Sequence, residues 1–230
     1  MRCDFHCHTR YSQDSRIHPA EVVRRIANRG LEVVAITDHN TFSGVPEALA
    51  AAQEVNIIVI PGIEVRTEIG DIIGLFLTKE ITSRDFKKTV EEVRGQNGVV
   101  MLPHPFKNHR ITEEVMRQID AVEIFNSRCS PKENRDAMDL ASQFGKPGIF
   151  GSDAHMKREI GMGYCEIDAS GDSDSIKAGV LKGATAIIET YSPPWNTLVS
   201  QMVKISRGGQ IPSFAKIRKG FGIALKKMDL

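Results

Sequence analysis

Residues 33–39 read Val33-Val34-Ala35-Ile36-Thr37-Asp38-His39, and this stretch decides the fold. Its first five residues form a short apolar run of strand type, which ends in an acid and an imidazole. The residues before it read as a helix: Pro19 suits a first helical position, Val22, Val23, Ile26 and Ala27 form one face, and Gly30 stops it. The same alternation runs on in both directions. Strand-like runs fall at Cys3–Cys7, Ile57–Pro61, Asp71–Leu77, Val99–Pro103, Ala121–Phe125, Pro147–Gly151 and Ala184–Glu189, most of them bounded by Gly, Pro or Asn. Thr82 is placed to cap a helix running to about Gln96, and Ser130-Pro131-Lys132-Glu133 has the spacing of a capping box. Strands alternating with helices predict an α/β fold with a mostly parallel sheet, open or closed into a barrel. Gly70-Asp71-Ile72 follows Glu64 closely and fits a hairpin strand.

The bulk numbers narrow the function classes. A chain of 230 residues suits one domain with a substantial core. A formal net charge of +1 argues for neither a nucleic-acid nor a membrane partner. Cys3, Cys7, Cys129 and Cys165 form no Cys-x-x-Cys pair and read as reduced thiols of an intracellular protein. The polar N-terminus carries no signal-peptide core and no apolar run approaches a membrane span, so a cytoplasmic location is expected. After Ser192-Pro193-Pro194 the character changes, and Trp195–Arg207 and Pro212–Lys227 read as basic helices. The expected division is a barrel-type domain over 1–190 and a helical extension over 191–230 that packs on it. The basic residues of that extension fit a solvated face, or a patch for a partner, a membrane surface or nucleic acid.

The chemistry begins at Asp4-Phe5-His6-Cys7-His8-Thr9. Alternate side chains of a strand share a face, so Asp4, His6 and His8 are expected together, with Phe5 and Cys7 turned into packing. His6 and His8 make a chelating pair for a divalent cation, which Asp4 would support by accepting an imidazole N–H. Recurrence strengthens the reading. Other strands end in Asp38-His39, Glu64, Pro103-His104 and Ser152-Asp153-Ala154-His155. Active sites of α/β folds form at that C-terminal edge.

These residues resemble the motifs of the polymerase and histidinol phosphatase (PHP) family. The family pattern of Asp-x-His-x-His, Thr-Asp-His, Gly-x-Glu, His-Pro and Ser-Asp-x-His is met, in order, by Asp4–His8, Thr37–His39, Gly62–Glu64, His104-Pro105 and Ser152–His155. The resemblance covers residues 1–190 and implies a distorted (β/α)7 TIM-like barrel holding two or three divalent ions (Zn, Mn or Fe, with Mg as a further candidate). It implies His6, His8, Glu64 and Asp153 around a first ion, Glu64 and His104 at a second, and His39, His155 and Asp14 at a third. Asp14 also fits a helix cap before Pro19. The chain departs from some relatives in two places. Asn126, a poor zinc ligand, and Asp71, either an oxygen ligand or a turn residue, stand where those relatives carry histidines.

The reaction implied is hydrolysis of a phosphate ester by metal-activated hydroxide. The general acid is not assigned; Asp14, His39 and His155 are the candidates. Arg128 is the first choice to grip the substrate phosphate, with Arg10 and Lys107 as alternatives. His18 and His109 fit no motif and read as surface residues. Three functions follow. The chain is a phosphoesterase for a small phosphomonoester such as a nucleotide, a sugar phosphate or histidinol phosphate; or a 3′–5′ exonuclease or nucleotide phosphodiesterase; or a non-catalytic metal-binding interaction domain.

Overall fold

The computed structural model describes residues 1–209. The expected helix over residues 212–227 lies outside them.

Strand β1 (Arg2–Cys7) leads into helix α1 (Pro19–Asn28), which has Pro at its first position and buries Val22, Val23 and Ile26. The apolar run beginning at Val33 becomes β2 (Val33–Ile36), buried at all its positions. Helix α2 (Val45–Ala52) then leads to β3 (Ile58–Thr67) and β4 (Gly70–Leu75). These two pair antiparallel over their full length, so the expected hairpin is present. The hairpin corrects one boundary. Parallel pairing of β3 with β2 stops at Pro61, but pairing with β4 carries β3 on to Thr67, which puts Glu64 inside the strand rather than at its end.

Helix α3 (Phe86–Arg94) starts later than expected. Asp85 caps it by accepting from the Lys88 N–H, while Thr82 bonds to Glu92 instead. Strand β5 (Val99–Leu102), helix α4 (Glu113–Gln118), strand β6 (Ala121–Asn126), helix α5 (Pro131–Gln143) and strand β7 (Gly148–Gly151) follow. The capping box of α5 is formed as read, with Ser130 and Glu133 bonding reciprocally. Beyond it come β8 (Tyr164–Glu166), helix α6 (Ser173–Lys182), β9 (Ala186–Ile188) and helix α7 (Pro194–Ser206).

Strands β1 to β7 are neighbours in chain order, parallel except where β4 runs against β3 and β5. A parallel bridge between Cys7 and Ala154, just past β7, brings the last strand back to the first. The result is a nearly closed, distorted TIM-like barrel with seven staves. Strand β8, absent from the sequence reading because three residues carry no pattern, pairs antiparallel to β1 and carries β9. Phe5, Ile60, Ile73, Phe125 and Phe150 fill the barrel, closed below by Ile176 and Val180 of α6. Two further apolar clusters lie under α1 with α2 and under α3 with α4.

One expectation about β1 fails. The β1–β2 register slips between Asp4 and Cys7, the mark of a bulge, and strict alternation breaks there. Cys3 and Phe5 stay in the barrel core, whereas Cys7 packs under α1, 3.4 Å from the Asp4 carboxylate. Asp4 therefore does not support an imidazole. It accepts from the backbone N–H groups of Ser152 (2.9 Å) and Gly161 (3.0 Å), tying β1 to the segment after β7.

Gly151 marks the tightest approach at this seam. A Cβ there would sit 2.3 Å from His6 Cβ and 2.5 Å from Glu123 Oε1. Gly151→Ala is expected to destabilise the fold by about 1–3 kcal/mol, the usual cost of overpacking. Urea unfolding measures it, and a parent-like midpoint with unchanged slope would refute the packing argument.

Candidate metal centre

The mouth of the barrel collects ionisable side chains that an apolar core would exclude. His6, His8 and Glu64 are fully buried, and Asp14, His104, Asp153 and His155 nearly so. Buried charges persist only when paired or bound to a cation.

Three imidazoles are held in one orientation. The His6 Nδ1 lies 2.9 Å from Glu123 Oε1, the His8 Nδ1 3.0 Å from Ser12 Oγ, and the His155 Nδ1 2.9 Å from the Asp153 carbonyl. A carboxylate and a carbonyl can only accept, so His6 and His155 carry their protons on Nδ1. Ser12 Oγ donates to Asp38 (2.7 Å) and accepts the His39 N–H (2.9 Å), which leaves it to accept from His8 as well. With Nδ1 held in this way, a ring that gives up its second proton turns its Nε2 lone pair to the centre, as in carboxylate–histidine–metal arrangements.

Those lone pairs meet acids at short range. Nε2 of His6 and Nε2 of His8 are 3.0 Å apart. Glu64 Oε2 lies 3.7 and 3.4 Å from them, and Asp153 Oδ1 3.6 and 3.4 Å. The other Glu64 oxygen is 3.0 Å from His104 Nε2. His39 reaches Glu64 Oε2 through Nδ1 at 2.7 Å and Asp14 Oδ2 through Nε2 at 3.5 Å, and His155 Nε2 lies 3.3 Å from Asp14 Oδ1. Asp14 thus joins the histidines of the third cluster. Four buried atoms here, Asp14 Oδ1, His39 Nδ1, Glu64 Oε2 and His104 Nδ1, make no well-aligned hydrogen bond among the described residues, although His39 Nδ1 and Glu64 Oε2 are so close.

The electrostatics follow from this crowding. Burial pushes the His8 imidazole down to about 3, helped by His155 and His39, so it is neutral at physiological pH. Burial opposes ionisation of Glu64 and Asp153, yet His39 and His6 respectively hold both carboxyls well below the usual range. Burial also works against charging His6, but Glu123, Asp153 and Glu64 raise it well above an ordinary imidazole. The basin attracts positive charge. Two of its residues, His104 (φ 28°) and Asp153 (φ 52°), hold left-handed backbone, a strain that the surrounding structure must enforce.

The remaining candidates separate. Asp71 brings an oxygen within 4.8 Å of donor atoms on Glu64 and His104, while Arg66 Nε binds its Oδ1 at 3.2 Å. The Asn126 amide donates to Glu123 Oε2 (3.0 Å) and Asp153 Oδ2 (3.2 Å), so it orients acids. The buried Arg128 guanidinium binds Ser200 Oγ (2.6 Å) and faces Glu159 (3.4 Å). Lys107 Nζ lies 3.5 Å from Asp153 Oδ2, and Arg10 pairs with Glu47 at the surface. His18 is exposed on Glu47 as expected. His109 is not a surface residue: it is half-buried, its ring lies tilted 5.6 Å from that of His104, and it contacts the Asp71 carbonyl at 2.8 Å. Glu123, Glu159 and Ser12 were not anticipated. Glu123 had a signal, an acid within the apolar run Val122–Phe125.

A seven-stave α/β barrel with a histidine–carboxylate basin at the C-terminal ends of its strands is the architecture of the PHP class. The chain belongs to the PHP domain family, which it matches over residues 4–127, and a PHP-associated region matches over 131–185. It is 34% identical to an uncharacterized protein of Methanocaldococcus jannaschii across 71% of this chain and 69% of that one. A shorter stretch, 31% of this chain and 26% of the relative, is 40% identical to a 3′,5′-nucleoside bisphosphate phosphatase of Chromobacterium violaceum. In solved structures, a two-domain Bacteroides vulgatus protein described as containing a predicted PHP-like metal-dependent phosphoesterase superposes with a TM-score of 0.73 at 16% identity, over 87% of this chain and 68% of that one.

Glu123 also accepts the His104 N–H at 2.7 Å, so one carboxylate sets ligand-type residues of two clusters. Glu123→Ala is expected to lower the affinity for zinc or manganese by roughly 10–100-fold, the usual loss for such a supporting group. Calorimetric titration of chelator-stripped protein measures this. Unchanged affinity would show that Glu123 is only a packing residue.

Proposed function

We propose that the protein is a metal-dependent phosphoesterase acting on a small phosphomonoester. One observation carries the reading. Five distances among His6 Nε2, His8 Nε2, Glu64 Oε2 and Asp153 Oδ1 run from 3.0 to 3.7 Å. Ligands bonded at 2.0–2.1 Å in a tetrahedron are about 3.3 Å apart, so His6, His8 and Glu64, whose donor atoms all lie within 4.8 Å of one another, fit one ion, with Asp153 Oδ1 beside both imidazoles. Glu64 Oε2, close to imidazole nitrogens yet without a well-aligned hydrogen bond among the described residues, supports the same assignment.

Glu64 and His104 would hold a second ion with Asp71 in reach, and Asp14, His39 and His155 a third. Mixed imidazole and carboxylate donors suit Zn, Mn or Fe. Such ions supply neutralisation of phosphate oxygens, hydroxide near neutral pH and stabilisation of the leaving alkoxide.

The chain's own groups do the rest. Glu123, Ser12 and the Asp153 carbonyl keep the imidazoles in their acceptor tautomers. Asn126 and Lys107 take Asp153 Oδ2, leaving Oδ1 toward His6 and His8. Lys107 replaces Arg128 as the phosphate-gripping cation, because the Arg128 guanidinium is already bound by Ser200 and Glu159. The half-buried Lys107 ammonium has one carboxylate partner at 3.5 Å and retains donors for a phosphate oxygen. The partial kinship with a nucleoside bisphosphate phosphatase favours a nucleotide among phosphomonoesters.

Metal analysis of protein purified without chelator is expected to find two or more ions per chain. A panel of nucleotides, sugar phosphates, cyclic diesters and oligonucleotides should show release of inorganic phosphate from monoesters. Turnover of oligonucleotides alone would sink the monoester reading. His6→Ala should reduce hydrolysis to background with the fold retained by circular dichroism. Lys107→Ala should raise KM by roughly 10-fold or more, the worth of one charged hydrogen bond. An unchanged KM would remove Lys107 from the substrate site.

A further inference from the structure

We infer that helix α7 braces the third donor cluster and that Arg207, at its C-terminal end, is the positioning residue for Asp14. The inference rests on the proposed metal-holding role of that cluster. Helix α7 lies outside both family-matched stretches, which end at residue 185.

The brace has two anchors. At the C-terminal end, Arg207 Nη1 donates to the carbonyls of Arg10 (2.9 Å), Ser12 (2.9 Å) and Ser15 (3.0 Å). These carbonyls bracket Asp14 on the loop after β1. A single guanidinium nitrogen on three carbonyls fixes the path of a loop that has no strand or helix of its own. Ser12 is also the residue whose hydroxyl meets His8 Nδ1, the His39 N–H and Asp38. Displacing this loop would therefore move Asp14 and loosen two histidines together.

The other anchor is the fully buried Glu159. Its Oε2 accepts the N–H groups of His155 (2.9 Å) and Met156 (2.8 Å). Its Oε1 accepts from the Ser192 hydroxyl and faces Arg128 Nε at 3.4 Å. Ser192 is tied to Asn196 (2.9 Å), and Arg128 to Ser200 (2.6 Å), both residues of α7. Helix α7, with 13 residues, is about 20 Å long. One end thus sets His155 and the other sets Asp14, and the two side chains meet at 3.3 Å. The first cluster differs, since its His6 and Glu64 are embedded in strands β1 and β3.

The test uses the full chain with Arg207→Ala and Arg207→Gln. The first readout is amide hydrogen exchange of chelator-stripped protein, which needs no ion. Exchange across residues 9–18 is expected to rise by about 10-fold or more in Arg207→Ala, since a lost charged hydrogen bond is worth at least that factor. Strands β5 and β6 should exchange at the parental rate. The second readout is metal content after dialysis against manganese or zinc, expected to fall from three ions per chain to two. Arg207→Gln, which keeps donors without the charge, should fall between, and it decides on the same readouts if Arg207→Ala does not fold. Parental exchange at residues 9–18, or a parental third ion despite faster exchange, overturns the inference. If the parent itself holds fewer than three ions, the metal reading of the third cluster fails, and the exchange measurement alone decides the brace.

Discussion

The centre depends on the Glu64 carboxylate. It is fully buried, and both its oxygens face imidazole: Oε1 lies 3.0 Å from His104, and Oε2 lies 2.7 Å from His39 and 3.4 Å from His8. Burying a lone carboxylate costs several kcal/mol, and only close positive charge offsets it. Glu64 thus touches members of all three donor clusters. It reaches them because β3 runs on past its parallel partner, and that extension exists because the β3–β4 hairpin satisfies its backbone. The antiparallel insertion that distorts the barrel is also what places the acid shared by the clusters.

The same logic explains the next layer outward. An imidazole is a ligand only if its inward nitrogen is unprotonated, and the outer nitrogen decides that. Glu123, Ser12 and the Asp153 carbonyl each take an Nδ1, and the Glu123 and Ser12 side chains are themselves held by further bonds. Glu123 accepts from the His104 N–H and the Asn126 amide as well. The left-handed backbone at His104 and Asp153 belongs to this layer: side chains at strand ends are turned inward at a conformational cost of order 1–3 kcal/mol each.

Much of this was legible in the sequence, for a physical reason. Donor chemistry is a property of residue type, and a buried parallel strand must end in a loop at the active edge. His6, His8, His39, Glu64, His104, Asp153 and His155 could thus be read together without coordinates. What escaped the reading depends on geometry that leaves no pattern. The bulge between Asp4 and Cys7 inserts one residue and reverses which side chains share a face, so Asp4 was assigned to an imidazole when it binds backbone. Arg128 was read by its charge alone, and its neutralising partner Glu159 is distant in sequence. Strand β8 is too short for a period to show, and it exists because the outer edge of β1 needs a partner.

The clusters also differ in what keeps them rigid. His6 and Glu64 sit within strands whose ladders would have to break before those donors moved. Asp14 sits on a loop, and His155 follows β7 by four residues. Loop residues open locally at far lower free energy than core strands, unless something outside the barrel holds them. The Arg207 contacts, the buried Glu159 and the Arg128–Ser200 bond all converge on those two residues from a helix that the barrel topology itself does not require. On the inference drawn from the Arg207 and Glu159 contacts, order at this end of the centre is supplied by the segment that follows the barrel.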